Sequence, residues 1–216
     1  MSTRSDIKDL YDLVNAIQDY EPELMSIIIN YVFLPYDETK RNSENNRFIR
    51  LTQATDSYTL CSLAFQFNRT VQMIIIEPGV ISISSNTFKN CSSLEWVDIP
   101  NTVTNIWKSA FSFCVKLSSL RLPDSVIRID DRAFYYCEQL SGVVLPDSLV
   151  YIGHMAFFCC HNLTHIVIPD SVQSIGDYAF YGCANLLHVR IPQRFQSDIV
   201  RIFWNVDLSK VNLRFT

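Results

Sequence analysis

The stretch IPDSVQSIGDYAFYGCANL, Ile168 to Leu186, decides the fold, because near-copies of it recur every 23 residues. Phe88, Phe111, Phe134, Phe157 and Phe180 fall into one column. Cys91, Cys114, Cys137, Cys160 and Cys183 fall into a second, Leu94, Leu117, Leu140, Leu163 and Leu186 into a third, and Pro100, Pro123, Pro146, Pro169 and Pro192 into a fourth. A fixed period within roughly 20–50 residues is the signature of stacked repeat units and outranks any local reading. Weaker copies flank the five. Ala64 and Phe65, then Val71, Ile74 and Ile76, stand one period upstream, with Asn68 in the cysteine slot and Glu77 in the proline slot. Leu208, Val211 and Leu213 stand downstream with a one-residue slip. Degenerate end units are expected, since they cover an otherwise exposed apolar face.

Each part of the unit has its own physical task. LLHVRIP, Leu186 to Pro192, alternates apolar and polar residues and stops at proline, which reads as a short half-buried strand. The Asp-Ser or Asn-Thr that follows is turn chemistry, small side chains that bond their own backbone. VQSI predicts a second short extended piece, and GDYAFYGC a return through a 3-10 or single helical turn. One unit cannot bury its own apolar face; stacked units with parallel strands about 4.8 Å apart can. The cysteine column reads as a small apolar side chain recurring because its slot recurs. The competing reading is a metal or disulfide ladder. Against it, no C-x-x-C pair is present, Cys159 and Cys160 are merely adjacent, and the count of seven is odd.

The repeat IPDSVQSIGDYAFYGCANL resembles the BspA-like class of leucine-rich repeats over most of the chain. The resemblance implies a leucine-rich-repeat solenoid, mostly β, whose parallel strands stack as a curved right-handed coil. It further implies a non-catalytic protein-binding or adhesion module, of a kind often found on microbial surfaces, with no catalytic residues to carry over.

Composition agrees with a packed chain: 48% hydrophobic and 19% charged residues over 216 positions. A net charge of −4 points away from nucleic acid, whose binders are basic. The opening MSTRSDIKDLYDLV carries no apolar run suited to a signal peptide, and no stretch reaches the ~18 apolar residues of a membrane span. Together with unpaired cysteines, this predicts a cytoplasmic protein without membrane insertion, although display at the surface by a signal-independent route stays open. Asn68-Arg69-Thr70, Asn90-Cys91-Ser92 and Asn162-Leu163-Thr164 match the glycosylation pattern and are expected to be silent.

Residues 1–45 carry no repeat column and predict a short α-helical cap, with 46–216 as the solenoid. Ile7, Leu10, Tyr11, Val14 and Ile17 fall at helical spacing behind Ser5, a plausible cap. Glu21-Pro22-Glu23 starts a second helix, and Leu24 to Leu34 is apolar nearly all round. The alternative is a partner-binding module: EPELMSIIINYVFLPYD weakly resembles the opening of an F-box, which would imply a substrate adaptor for ubiquitin ligation.

Strand alternation makes two outward columns readable. One is Trp96, Ser119, Gly142, His165 and His188. The other is Asp98, Arg121, Val144, Val167 and Arg190. The candidate protein-binding residues on this face are Trp96, Asp98, Ser119, Arg121, His165, His188 and Arg190, an aromatic and arginine mixture typical of interaction hot spots; the competing reading is a solvated sheet face. His165 and His188 should be cross-strand neighbours, but no third metal ligand is apparent. A second candidate patch, for a partner or for self-association, is Phe113, Tyr135, Tyr136, Phe158 and Tyr181 on the return segments, unless those rings stack between coils. SDIVRIFW, Ser197 to Trp204, predicts a capped C-terminal helix, and LSKVNLRF a last strand. No phosphate loop, G-x-S-x-G, H-E-x-x-H or kinase motif is present. Cys159, near His154 or His161, is the one candidate nucleophile. Neither a cofactor nor a metal is expected.

Overall fold

The computed structural model describes residues 65–216 together with the strands Phe48–Leu51 and Thr59–Leu60. These belong to one unit, Asn42–Thr216. The helical cap expected over residues 1–45, the F-box-like segment and Cys61 lie outside the described residues.

Two kinds of strand alternate along the chain. The longer ones are β1 (Phe48–Leu51), β3 (Met73–Ile76), β5 (Trp96–Asp98), β7 (Ser119–Arg121), β9 (Gly142–Val144), β11 (His165–Val167), β13 (His188–Ile191) and β14 (Asn212–Phe215). Between them come two-residue strands: β2 (Thr59–Leu60), β4 (Ser82–Ile83), β6 (Asn105–Ile106), β8 (Arg128–Ile129), β10 (Tyr151–Ile152) and β12 (Ser174–Ile175). Each kind pairs only with its own, one coil away and parallel, giving sheets β1-β3-β5 and β7-β9-β11-β13-β14 from the longer strands and β2-β4-β6-β8-β10-β12 from the shorter. Register steps by 23 residues, as in Ser119↔Gly142 and His165↔His188. The two end steps differ: the first is 25, Phe48↔Met73, and the last is 24, His188↔Asn212, which places Leu213 beside Val189. The chain is therefore a β-solenoid, and the one-residue slip legible downstream is real.

The interior is a set of columns. Phe65, Phe88, Phe111, Phe134, Phe157, Phe180 and Phe203 stack ring on ring at centroid separations of 5.5, 5.1, 5.3, 5.2, 5.2 and 5.2 Å. Offset aromatic pairs contribute about 0.5–1.5 kcal/mol beyond the area they bury. The cysteine column is buried beside it and every thiol in it is free. These thiols have a task that small size does not explain. Each donates to the carbonyl of the phenylalanine one coil back: Cys91 to Phe65, Cys114 to Phe88, Cys137 to Phe111, Cys160 to Phe134 and Cys183 to Phe157, at 3.1–3.4 Å. A third column repeats the device. The hydroxyls of Thr102, Ser125, Ser148 and Ser171 donate to Val80, Val103, Val126 and Leu149 carbonyls one coil back, at 2.6–2.8 Å. At the end of the stack the guanidinium of Arg194 takes the same slot and donates to the Val172 and Asp170 carbonyls. The serines after proline thus staple coils rather than bonding their own turns, which backbone bonds such as Val126 N–H to Pro123 O already close at 3.1 Å.

The return segments differ from expectation. They form no 3-10 or α-helical turn, but runs of turns with two left-handed residues per coil: Asn86 and Asn90, Ser109 and Phe113, Arg132 and Tyr136, Met155 and Cys159, Tyr178 and Gly182. The reason is hydrogen bonding to the next coil. Asn86, Phe88 and Asn90 N–H groups donate to Lys108, Ala110 and Ser112 carbonyls at 2.8–3.0 Å, and the pattern repeats down the stack. A helical turn would direct those N–H groups along its own axis. Two glycines mark the tightest approach. A Cβ on Gly153 would stand 2.4 Å from the Asp131 nitrogen, and one on Gly176 2.3 Å from that of His154.

The C-terminal segment begins earlier than expected. A 3-10 helix, Gln193–Asp198, precedes the α-helix Ile199–Ile202. No side chain caps the α-helix, because the Asp198 carboxylate pairs with Arg201 at 3.2 Å instead. A further 3-10 turn, Leu208–Lys210, leads into β14.

Two predictions arise from this interior. Burial pushes the Cys91 thiol from 9.0 up to about 12, and raises those of Cys114, Cys137, Cys160 and Cys183 as well. The unfolded chain can ionise near 9.0 while the folded chain keeps its thiols protonated. Their stabilisation is therefore complete below the unfolded value and lost as pH rises through the folded one. The urea midpoint should fall across pH 9 to 12, less steeply in Cys137→Ala; equal slopes in parent and variant would rule the thiols out as the cause. Left-handed backbone costs an L-residue with a Cβ about 1–2 kcal/mol. At exposed Arg132, φ 55°, glycine should therefore be about 1 kcal/mol more stable than valine by thermal unfolding.

Candidate functional site

The longer strands present one face to the core and one outward. Leu120, Val143, Ile166 and Val189 point in; their neighbours on either side point out. The first outward column runs Met73, Trp96, Ser119, Gly142, His165, His188 and Asn212. The second runs Ile75, Asp98, Arg121, Val144, Val167, Arg190 and Arg214. Trp96, Asp98, Ser119, Arg121, His165, His188 and Arg190 are all exposed, so the structure brings the strand-face candidates onto one surface. Trp96 and Asp98 lie on the edge strand of one sheet, and the other five on the next. Between those sheets, Ser118 donates to the Glu95 carbonyl through its N–H at 3.3 Å and its hydroxyl at 3.4 Å.

The face is more apolar than the candidate set implies. Val144 is 61% exposed and Val167 50%, side by side between Arg121 and Arg190. Met73 and Leu187 add exposed apolar surface. Met73 could have been found by extending the tryptophan column one period upstream, and Arg214 by applying the slip to the arginine column. Leu187 precedes its strand and no column pointed to it. His165 turns toward Gly142: its Cε1 lies 3.5 Å from where a Cβ on that residue would stand, and its Nδ1 lies 3.2 Å from the Thr164 hydroxyl. A bulky side chain at 142 would displace the ring.

The second candidate patch is a stack rather than an open surface. Phe158 lies flat on Tyr181 at 4.4 Å and on Tyr135 at 4.9 Å, while Phe113 stacks on Tyr136 at 5.3 Å and meets Tyr135 edge-on at 5.4 Å. All five rings are half-buried. Their faces are used on each other, so edges and hydroxyls are what solvent meets.

The surroundings of Cys159, the candidate nucleophile, hold its thiol in the protonated form. Cys159 is buried, and burial raises its thiol despite the hydrogen bond from the Tyr136 hydroxyl. His161 packs edge-on to Tyr136, and His154 edge-on to Tyr178. A thiol held protonated is a poor nucleophile. Among the described residues no group of three or more His, Cys, Asp or Glu side chains could hold a metal ion. No helix among them is long and apolar enough to cross a membrane.

Comparison with known proteins agrees with this architecture. Among curated proteins none matches the chain. A leucine rich cell surface protein of Faecalibacterium prausnitzii A2-165 is 27% identical with a TM-score of 0.55, over 68% of this chain and 48% of its own. The pneumococcal vaccine antigen PcpA shares the fold at 16% identity and a TM-score of 0.55, over 80% of this chain and 42% of its own. A T. pallidum leucine rich repeat protein is 25% identical with a TM-score of 0.47, over 67% and 58%. The chain thus spans about half the length of these solved proteins. The BspA type Leucine rich repeat region matches in six copies, over residues 58–186 and 104–216. With the 23-residue register and the stacked parallel strands, this match establishes that the chain belongs to the BspA-type leucine-rich repeat family.

Proposed function

We propose that the chain is a non-catalytic binding module that holds a protein ligand on the outward face of its longer strands. The observation that carries this reading is the exposed Val144–Val167 pair flanked by Arg121 and Arg190 on a stacked, hydrogen-bonded frame. Apolar centres beside arginines and aromatics are where interfaces concentrate their energy. A frame held by inter-coil bonds loses little conformational freedom when it binds. The family supports protein interaction or adhesion as the general role.

The compartment follows less directly. The cytoplasmic reading rested partly on unpaired cysteines, and the described thiols are buried and protonated. Such thiols resist oxidation in any compartment, so their number no longer favours a reducing one. The similar Faecalibacterium protein is a cell surface protein, which favours adhesion as the form the binding takes. The division into 1–45 and 46–216 is likewise proposed, on the point at which the repeat columns begin.

The test uses the whole chain as bait in its source cell. Trp96→Ala with Arg121→Glu should weaken capture by about 30-fold, since truncating a hot-spot residue costs about 2 kcal/mol or more. Ile127→Ser with Val150→Ser, exposed residues just before the shorter strands β8 and β10, should leave it unchanged. Capture lost only in this second pair would move the site to the shorter strands.

A further inference from the structure

We infer that the strand face recognises an extended acidic segment whose apolar residues alternate with carboxylates; this rests on the reading of the face as the binding surface. The chain as a whole carries a net charge of −4. Its second outward column runs against that sign: Asp98, Arg121, Val144, Val167, Arg190 and Arg214 hold three cations and one anion. The carboxylate stands at one end and the cations flank the valines. No ion pair within the described chain engages Arg121, Arg190 or Arg214. By contrast, Arg128 is paired with Asp130 and lies over the Tyr151 ring, and Arg201 is held by Asp177 and Asp198. The strand-face arginines are left available.

Spacing then selects the ligand. From β7 to β13 is three strand steps, about 14 Å at ~4.8 Å each. An extended peptide crossing the strands advances ~3.4 Å per residue, so carboxylates four residues apart stand about 14 Å apart and point the same way. The residue midway between them faces Val144 and Val167. The pattern acid–x–apolar–x–acid places both carboxylates at arginines that can grip them in bidentate fashion, and the apolar side chain on the valines. A polyphosphate backbone could satisfy the arginines but offers nothing to two exposed valines.

The probe is the peptide Glu-Thr-Val-Thr-Glu-Thr-Val-Thr-Glu, titrated into the full chain by NMR amide-shift mapping. Saturable shifts are expected at Arg121, Val144, Val167 and Arg190 and their neighbours. Replacing each glutamate by lysine should abolish them, and replacing each valine by serine should weaken binding by about tenfold, one methyl-rich contact's worth. Arg121→Glu with Arg190→Glu, folded by circular dichroism, should lose the acidic peptide and gain the lysine one. The inference is overturned if the lysine peptide binds the parent equally well, if the shifts fall elsewhere, or if oligo-thymidylate binds the same residues more tightly than the acidic peptide. Failure of the peptide while Trp96→Ala with Arg121→Glu still loses its cellular partner sinks this ligand chemistry alone. Undiminished capture by that double variant sinks the strand-face reading beneath it.

Discussion

Every coil leaves carbonyl groups that only a neighbouring coil can satisfy, and the rest of the structure follows from that constraint. The strands meet it in the ordinary way, with parallel ladders. At the turns, side-chain donors reach back to the coil behind as well. There the chain uses a hydroxyl at Thr102, Ser125, Ser148 and Ser171, and the thiols of Cys91, Cys114, Cys137, Cys160 and Cys183 add a second donor to phenylalanine carbonyls that already accept an N–H of their own turn. A buried carbonyl without a partner costs about 1–3 kcal/mol, so the hydroxyl slots admit few residue types. Arg194 closes the series by reaching back over the last coil with a larger donor.

The same constraint explains the strained return segments. Backbone N–H groups there point forward to the next coil, and the chain accepts two left-handed residues per coil to aim them. Asparagine or glycine fills some of these positions, as at Asn86, Asn90 and Gly182; elsewhere serine, arginine, methionine, phenylalanine, tyrosine and cysteine bear the cost. Satisfied hydrogen bonds and the stacked phenylalanines outweigh it, and neither exists for a coil in isolation. Stability in such an array is a sum over neighbours.

A frame held from within leaves its outer strand face free of structural duty. The inward residues and the corner donors carry the stacking, so outward positions vary from coil to coil. Where the columns inside repeat, the outward ones change from Trp96 to Ser119 to Gly142 to His165. Variation on a rigid frame is what a binding surface requires, and at Tyr135, Phe158 and Tyr181 the rings stack on one another along the coils.

The sequence by itself determined the period, the solenoid, the core columns and which strand residues face outward. Those properties are local: an alternation of two along a strand and an exact repeat along the chain leave little choice of register. Even the slip before β14 was legible, since Leu213 falls one position late. Only the tertiary structure decided what the corner side chains do. The recipient of a cysteine thiol lies 26 residues away and that of a serine hydroxyl 22, on a carbonyl that no composition or periodicity identifies. For the same reason the return segments read as helical from their local pattern, and became left-handed turns once the next coil offered acceptors. The availability of Arg121 and Arg190, against the engagement of Arg128 and Arg201, was likewise settled by which carboxylates the fold brought within reach.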